Sequence, residues 1–204
     1  ILIPSCDHSS DLRTCVESIY RKSTYEDFEI IVIENNSKEK ATFRCYEQLQ
    51  KEHKNLKVIT WQGTGFNYSA LNNFGAKYAT GEYLLLLNND TEVITAAWLE
   101  EMVMYAQQKR VGCVGAKLLY PDNTIQHAGI GFGFLTLAAH MHKNFPVGHP
   151  GYMGRLVYAH DVYAVTAACL MVRKEIYDAV HGLDESFAVA FNDVDFCLRV
   201  RDKG

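Results

Sequence analysis

Three short polar clusters follow directly on apolar runs in this chain. Ser5-Cys6-Asp7 follows "ILIP", Glu34-Asn35-Asn36 follows "FEIIVI", and Asn88-Asn89-Asp90 follows "EYLLLL". Carboxylate and amide oxygens are the hard ligands that magnesium and manganese prefer, often one or two carboxylates together with substrate phosphates. A divalent ion on Asp90 would neutralise charge on a leaving diphosphate. A capped turn is the competing reading, because Asn and Asp hydrogen-bond their own backbone in loops. Glu34 could accept from a ribose hydroxyl or a base N–H, or be a solvated loop acid. A fourth cluster, Asn192-Asp193-Val194-Asp195, opens a helical pattern. The helix dipole alone accounts for carboxylates there. In the functional reading, Asp193 is a general base that deprotonates a hydroxyl nucleophile. Asp195, two residues on, faces elsewhere, and Phe187 and Phe191 are expected to form a dry floor that raises the basicity of the carboxylate.

The elements that must position these clusters are legible from periodicity. Strands are predicted at 1–4, 28–33, 56–60 and 82–87. Helices are predicted from Leu12 (with Ser9, Ser10 or Asp11 as cap) and at about 38–52, 67–79 and 96–109. Strands alternating with helices imply parallel pairing, and continuous apolar strands imply a sheet covered on both faces. Ligands collect at the carboxyl ends of such strands, so the three clusters should share one edge. Further on, 111–120 and 162–172 read as strands, 128–160 as a Gly- and His-rich loop, 173–180 as a short helix and 182–187 as a turn. His140 and His142 are two apart and read as surface residues or metal ligands. "GIGFG" lacks the strand–helix context of a dinucleotide site. Lys143 and Arg155 could reach a phosphate or be solvated.

Composition narrows the classes. The 204 residues are 48% hydrophobic and 22% charged, with 20 basic against 24 acidic residues. That suits a folded domain with a sizeable core and argues against nucleic acid as a partner. No run approaches the ~20 apolar residues of a membrane span, and the first residues lack the form of a signal peptide. Six scattered cysteines without a CxxC pair fit a reduced set in the cytoplasm. The chain opens in mid-strand and closes in a helical pattern, so further protein is expected at one or both ends. Association with the inner face of the membrane would depend on those segments.

The stretches "ILIPSCD", "FEIIVIENNS", "GFNYSALNNFGAKYATGEYLLLLNNDTEV", "GAKLLYPDNTIQHAG", "VTAACLMVRKEIYDAVHGLDESF" and "NDVDFCLRVRDKG" together resemble the inverting family 2 glycosyltransferases. The branch they are most similar to is the bacterial one that builds rhamnose- or galactose-containing surface polysaccharides. The resemblance covers essentially the whole chain. It implies an α/β GT-A fold with a Rossmann-like, mixed, mainly parallel sheet flanked by helices. It also implies one domain over 1–204, with a nucleotide-sugar half (1–110) and an acceptor and catalytic-base half (111–204). The implied partners are a UDP- or dTDP-sugar donor, a glycan or lipid-linked glycan acceptor, and Mg2+ or Mn2+. Residue by residue, it implies that Pro4 and Ser5 line the nucleotide pocket, that Glu34 contacts the base, and that Asn73 lies near the donor. Asn88 and Asn89 would belong to the DXD-type motif, Asp90 would bind the metal, and Asp193 would be the catalytic base. Glu34 stands where the family usually has Asp, Asn88 replaces the motif's first Asp, and Asn192 replaces the Glu before the base. The loop around 136–158 is expected to close over the donor and exclude water.

Two other classes remain. A sugar nucleotidylyltransferase would want a Gly-rich basic loop after the first strand, where "PSCDHSSDLR" offers only Arg13. A non-catalytic sugar- or nucleotide-binding domain is kept open by Asn88 and Asn192.

Overall fold

The four apolar runs of the first half become neighbouring parallel strands. The computed structural model describes residues 1–133 and 137–204. It places β1 (Leu2–Ser5), β2 (Ile30–Glu34), β3 (Leu56–Thr60) and β4 (Tyr83–Leu87) in the order β3-β2-β1-β4. Register runs from Leu2 opposite Ile31 to Ser5 opposite Glu34, and on to Glu34 opposite Thr60. Three strands therefore end level with one another. The helices between and after them are α1 (Ser9–Lys22), α2 (Lys40–Glu52), α3 (Tyr68–Ala76) and α4 (Trp98–Ala106).

Next come β5 (Cys113–Gly115) and two small antiparallel pairs: β6 (Leu118–Leu119) with β7 (Ile125–His127), and β8 (Ile130–Gly131) with β9 (Ala139–His140). The chain finishes with β10 (Cys169–Arg173), α5 (Lys174–Ala179) and α6 (Asn192–Asp202). β10 lies antiparallel between β4 and β5, extending the sheet to six strands. This is the expected mixed, mainly parallel sheet flanked by helices.

Both faces of the sheet are covered, which explains the unbroken apolar strands. On β2, Ile31 and Ile33 pack into one core with Leu71 of α3 and Phe196 of α6. Ile30 and Val32 pack into the other with Leu12, Val16 and Ile19 of α1 and Leu49 of α2. Burying each such side chain fully contributes roughly 1.5–3 kcal/mol. Among the described residues, no helix is long and apolar enough to cross a membrane.

Four local expectations need correction. The predicted strand over 111–120 is two strands in different sheets, because β5 pairs with β10 whereas β6 pairs with β7. The predicted strand over 162–172 narrows to Cys169–Arg173, preceded by a single bridge from Ala164 to Ile130. The loop over 128–160 contains the β8–β9 hairpin; the first residue of the expected lid, 136, lies outside the described residues. At α1 the cap position is His8, left-handed at φ 49°, with no side-chain cap. Asp7 instead holds the segment entering α2, accepting from the Lys38 and Glu39 N–H groups at 3.0 and 2.9 Å. The Glu39 bond above all holds its carboxyl below the usual carboxylate range.

Candidate active site

The end of β4 and the approach to β10 run side by side. Asn88 N–H donates to the Ala168 carbonyl at 3.0 Å, continuing the pairing of Leu87 with Cys169. A cavity of about 320 Å³ opens above them. Pro4, Asn88, Asn89, Asp90, Thr166 to Ala168, Asn192 and Asp193 line it, with Phe66, Tyr68 and Val189 as its larger apolar surfaces. Strand ends from β1 and β4 thus meet the first turn of α6.

The Ala167 peptide ties the three walls together. Its carbonyl accepts from the Tyr68 hydroxyl at 2.7 Å, and its N–H donates to Asp193 Oδ2 at 3.2 Å. Val194 N–H donates to Asp193 Oδ1 at 2.8 Å. Both oxygens of Asp193 are therefore oriented by backbone. Burial pushes the Tyr68 phenol far up, so it stays a neutral donor. Asp195 pairs with Arg199 at 2.7 Å and faces away from the cavity, as its spacing from Asp193 predicted. Arg199 also donates to the Val180 and Gly182 carbonyls and so anchors α6.

Asp90 is exposed, and among the described residues its carboxylate makes no hydrogen bond or ion pair. Its neighbour Asn89 donates to Ser5 Oγ at 3.4 Å. No Lys, Arg or His is among the cavity's lining residues. A diphosphate beside Asp90 and Asp193 would therefore be repelled unless a cation sat between them. One free carboxylate flanked by two amide side chains fits a hard divalent ion completed by phosphate oxygens. A different metal-capable trio joins Glu17 of α1, Glu52 at the end of α2 and His53 just after it. Arg13 already bridges its two carboxylates, at 3.0 Å from Glu17 and 3.1 Å from Glu52.

Of the eight residues singled out from sequence, Pro4, Asn88, Asn89, Asp90 and Asp193 line the cavity. Ser5 is buried one hydrogen bond behind it. Glu34 is 4% exposed and accepts from the Asn36 and Ser37 N–H groups, so its carboxylate holds the β2–α2 turn. Asn73 does not reach the cavity. Its oxygen accepts from Tyr177 Oη and Leu183 N, and its nitrogen donates to Leu183 O and Glu185. These four bonds use the whole capacity of the amide. The expected aromatic floor is also absent: Phe187 and Phe191 are 37% and 45% exposed. Phe191 sits left-handed at φ 63° as the cap of α6, and Phe66 and Val189 line the cavity instead.

Tyr68 and the Thr166–Ala168 wall were missed. "VTAAC" reads as part of a strand, and only its run of small residues hints at an open backbone. Asn192 was noted as a departure but not as a structural member of the site. It is 4% exposed, accepts from the Asp193 N–H, and leaves its own Nδ2 without a partner.

The profile described as "Glycosyl transferase family 2" matches residues 1–180. An uncharacterized protein, y4gI, of Sinorhizobium fredii is 47% identical over the whole chain, and the O-antigen biosynthesis protein RfbC of Myxococcus xanthus is 40% identical. The chain spans only 22% and 16% of their respective lengths. Among solved structures, a mannosyltransferase of Pyrobaculum calidifontis in complex with GDP-Man and Mn2+ superposes with a TM-score of 0.69 at 13% identity. That match covers 98% of this chain and 50% of the other. S. aureus TarS residues 1–349 in complex with UDP-GlcNAc superposes at 0.65 and 16% identity, covering 98% and 52%. The fold is shared with these GT-A glycosyltransferases.

Proposed function

Because the chain belongs to glycosyl transferase family 2, we propose that it moves a sugar from a nucleotide-diphosphate donor, a UDP- or dTDP-sugar, to a hydroxyl of a growing surface polysaccharide or other glycan, inverting the anomeric configuration. The observation that carries this is the pair of carboxylates lining one cavity, Asp90 unpartnered and Asp193 oriented by two backbone N–H groups.

Asp90, with the side-chain oxygens of Asn88 or Asn89, would hold Mg2+ or Mn2+, whose chemistry there is to neutralise charge on the departing diphosphate. Asp193 takes the proton of the attacking acceptor hydroxyl as that oxygen bonds to the anomeric carbon and the bond to the diphosphate breaks. The Ala167 and Val194 N–H groups fix the carboxylate's direction and leave its outward lone pairs for that proton. Phe66 and Val189 give the cavity an exposed apolar rim, and holding donor and acceptor in line supplies much of the rate. Arg13, the arginine of "PSCDHSSDLR", is tied to Glu17, Gln48 and Glu52. That counts against nucleotidylyl transfer at the strand ends.

The test is a screen of UDP-, dTDP- and GDP-sugars for manganese-dependent release of the nucleoside diphosphate. Release from at least one donor is expected. Asp193→Asn should slow it by about 10²–10⁴-fold, the range of general-base catalysis, at unchanged nucleotide affinity. Equal turnover in Asp193→Asn would remove the base from the reading. Nucleotide binding with no turnover of any donor would favour a non-catalytic domain.

A further inference from the structure

A second cavity, about 200 Å³, adjoins the first at the Thr166–Ala168 wall. Thr166 and Ala168 line both cavities, and the remaining lining residues are Tyr120, Gln126, His140 and Lys143. These four side chains come from the loops and short strands between β5 and β10. Among the described residues, Tyr120, Gln126 and Lys143 make no side-chain hydrogen bond or ion pair, and His140 makes one, to His127. Convergent polar groups without protein partners are what a binding cavity presents.

The bond between the two histidines fixes which proton His140 carries. His127 is 1% exposed at the end of β7. Its Nε2 accepts from the Gly129 and Thr166 N–H groups at 3.2 and 3.3 Å. Burial, and secondarily His140, pushes its imidazole down to about 3. A neutral ring whose Nε2 accepts carries its proton on Nδ1. That Nδ1 lies 2.9 Å from Nδ1 of His140. His127 therefore donates, His140 accepts, and His140 is left with its proton on Nε2, the nitrogen without a protein partner. Burial pushes His140 down as well, against the pull of Asp193, so His140 is a neutral donor beside the base's cavity.

We propose that the second cavity holds the acceptor sugar and that His140 donates its Nε2–H to an oxygen of that sugar flanking the attacking hydroxyl, with His127 as the positioning residue that fixes its tautomer. This deepens the glycosyltransferase reading and rests on it. It makes His140 a determinant of which acceptor is accepted, because only a sugar with an oxygen placed opposite Nε2 replaces the water that this exposed donor otherwise meets.

The test is long-range ¹⁵N–¹H correlation of the histidine rings in the ¹⁵N-labelled protein. We expect the Nδ1–H form for His127 and the Nε2–H form for His140. His127→Gln keeps an acceptor for Gly129 and Thr166 but has no N–H at the position of Nδ1, and His140 should then populate both tautomers. The protein is next titrated with methyl galactoside, methyl rhamnoside and methyl mannoside in the presence of UDP and magnesium. At least one glycoside should shift His140 Nε2 and the Thr166 amide. The apparent affinity should fall about tenfold in His140→Ala, the scale of one lost hydrogen bond, and recover in part in His140→Gln. An Nδ1–H tautomer at His140 in the wild type overturns the positioning role, whether or not His127→Gln folds. Glycosides that leave His140 and Thr166 unmoved overturn the subsite. The Asn88–Asp90 amides report UDP binding separately, so failure of the nucleotide-donor reading is seen independently.

Discussion

Single residues here divide into those that face a ligand space and those consumed by the fold, and hydrogen-bond capacity separates them. Asp90 and Asp193 keep lone pairs for a ligand. Asn73 and Glu34 are occupied by backbone and side-chain partners. Asn73→Ala should cost about 1–3 kcal/mol in urea unfolding, because it strands Tyr177 Oη and the Leu183 backbone groups. Nucleotide affinity should change less than twofold. A large loss of affinity at full stability would instead return Asn73 to the donor site. The strand-end motif was legible because a buried strand that stops at oxygen-bearing side chains can mean only a turn or a ligand site. The task of Asn73 was not, because its partners are fixed by tertiary geometry, whereas Glu34 closes a local turn with the Asn36 and Ser37 N–H groups. Leu183 and Glu185 lie more than a hundred residues from Asn73.

At the scale of elements, α3 and the segment before α6 are stitched together. Tyr68 N–H donates to Ala188 O, Ser69 Oγ to Phe187 O, and Asn67 Nδ2 to Glu185 O. The sequence shows "GLDESF" only as a turn, yet this seam sets where Asp193 begins its helix. Gly182 makes the seam possible. It is left-handed at φ 69°, and a Cβ there would fall 2.3 Å from Asn73 Oδ1. Gly182→Ala should lower stability by about 2 kcal/mol, combining backbone strain with overpacking, as read from the urea midpoint.

At the opposite edge of the sheet, Glu29 joins three segments. It accepts from the Thr80 N–H and hydroxyl at 2.6 and 2.8 Å and from Lys57 at 3.0 Å. Burial pushes its carboxyl up, but these donors outweigh it and bring it down to about 2. A depressed folded-state value means the contribution is complete above the unfolded carboxylate's range and is lost as pH falls from about 4.5 towards 2. Unfolding free energy should therefore decline over that window, and Glu29→Gln should flatten the decline by about 1 kcal/mol. An unchanged pH profile in Glu29→Gln would remove Glu29 as the cause.

For the whole molecule, the first half was readable because each strand and helix carries its own period and both sheet faces are buried. The second half was not. Its strands are two to five residues long, β10 runs against its neighbours, and the walls of both cavities are assembled by pairings across β4, β10 and the two small hairpins. Site and fold meet at one place, where the parallel half ends at Asn88–Asp90 and the antiparallel β10 brings Thr166–Ala168 alongside. The central claim is that this junction binds a nucleotide diphosphate through a metal on Asp90. The most direct measurement is calorimetric titration of UDP and dTDP, with and without manganese, into the wild-type protein and Asp90→Ala. Manganese-dependent binding of at least one nucleotide is predicted, weakened at least about tenfold in the variant, or about 1.4 kcal/mol. Binding indifferent to both manganese and the substitution, or no binding by the folded wild-type protein, would contradict it.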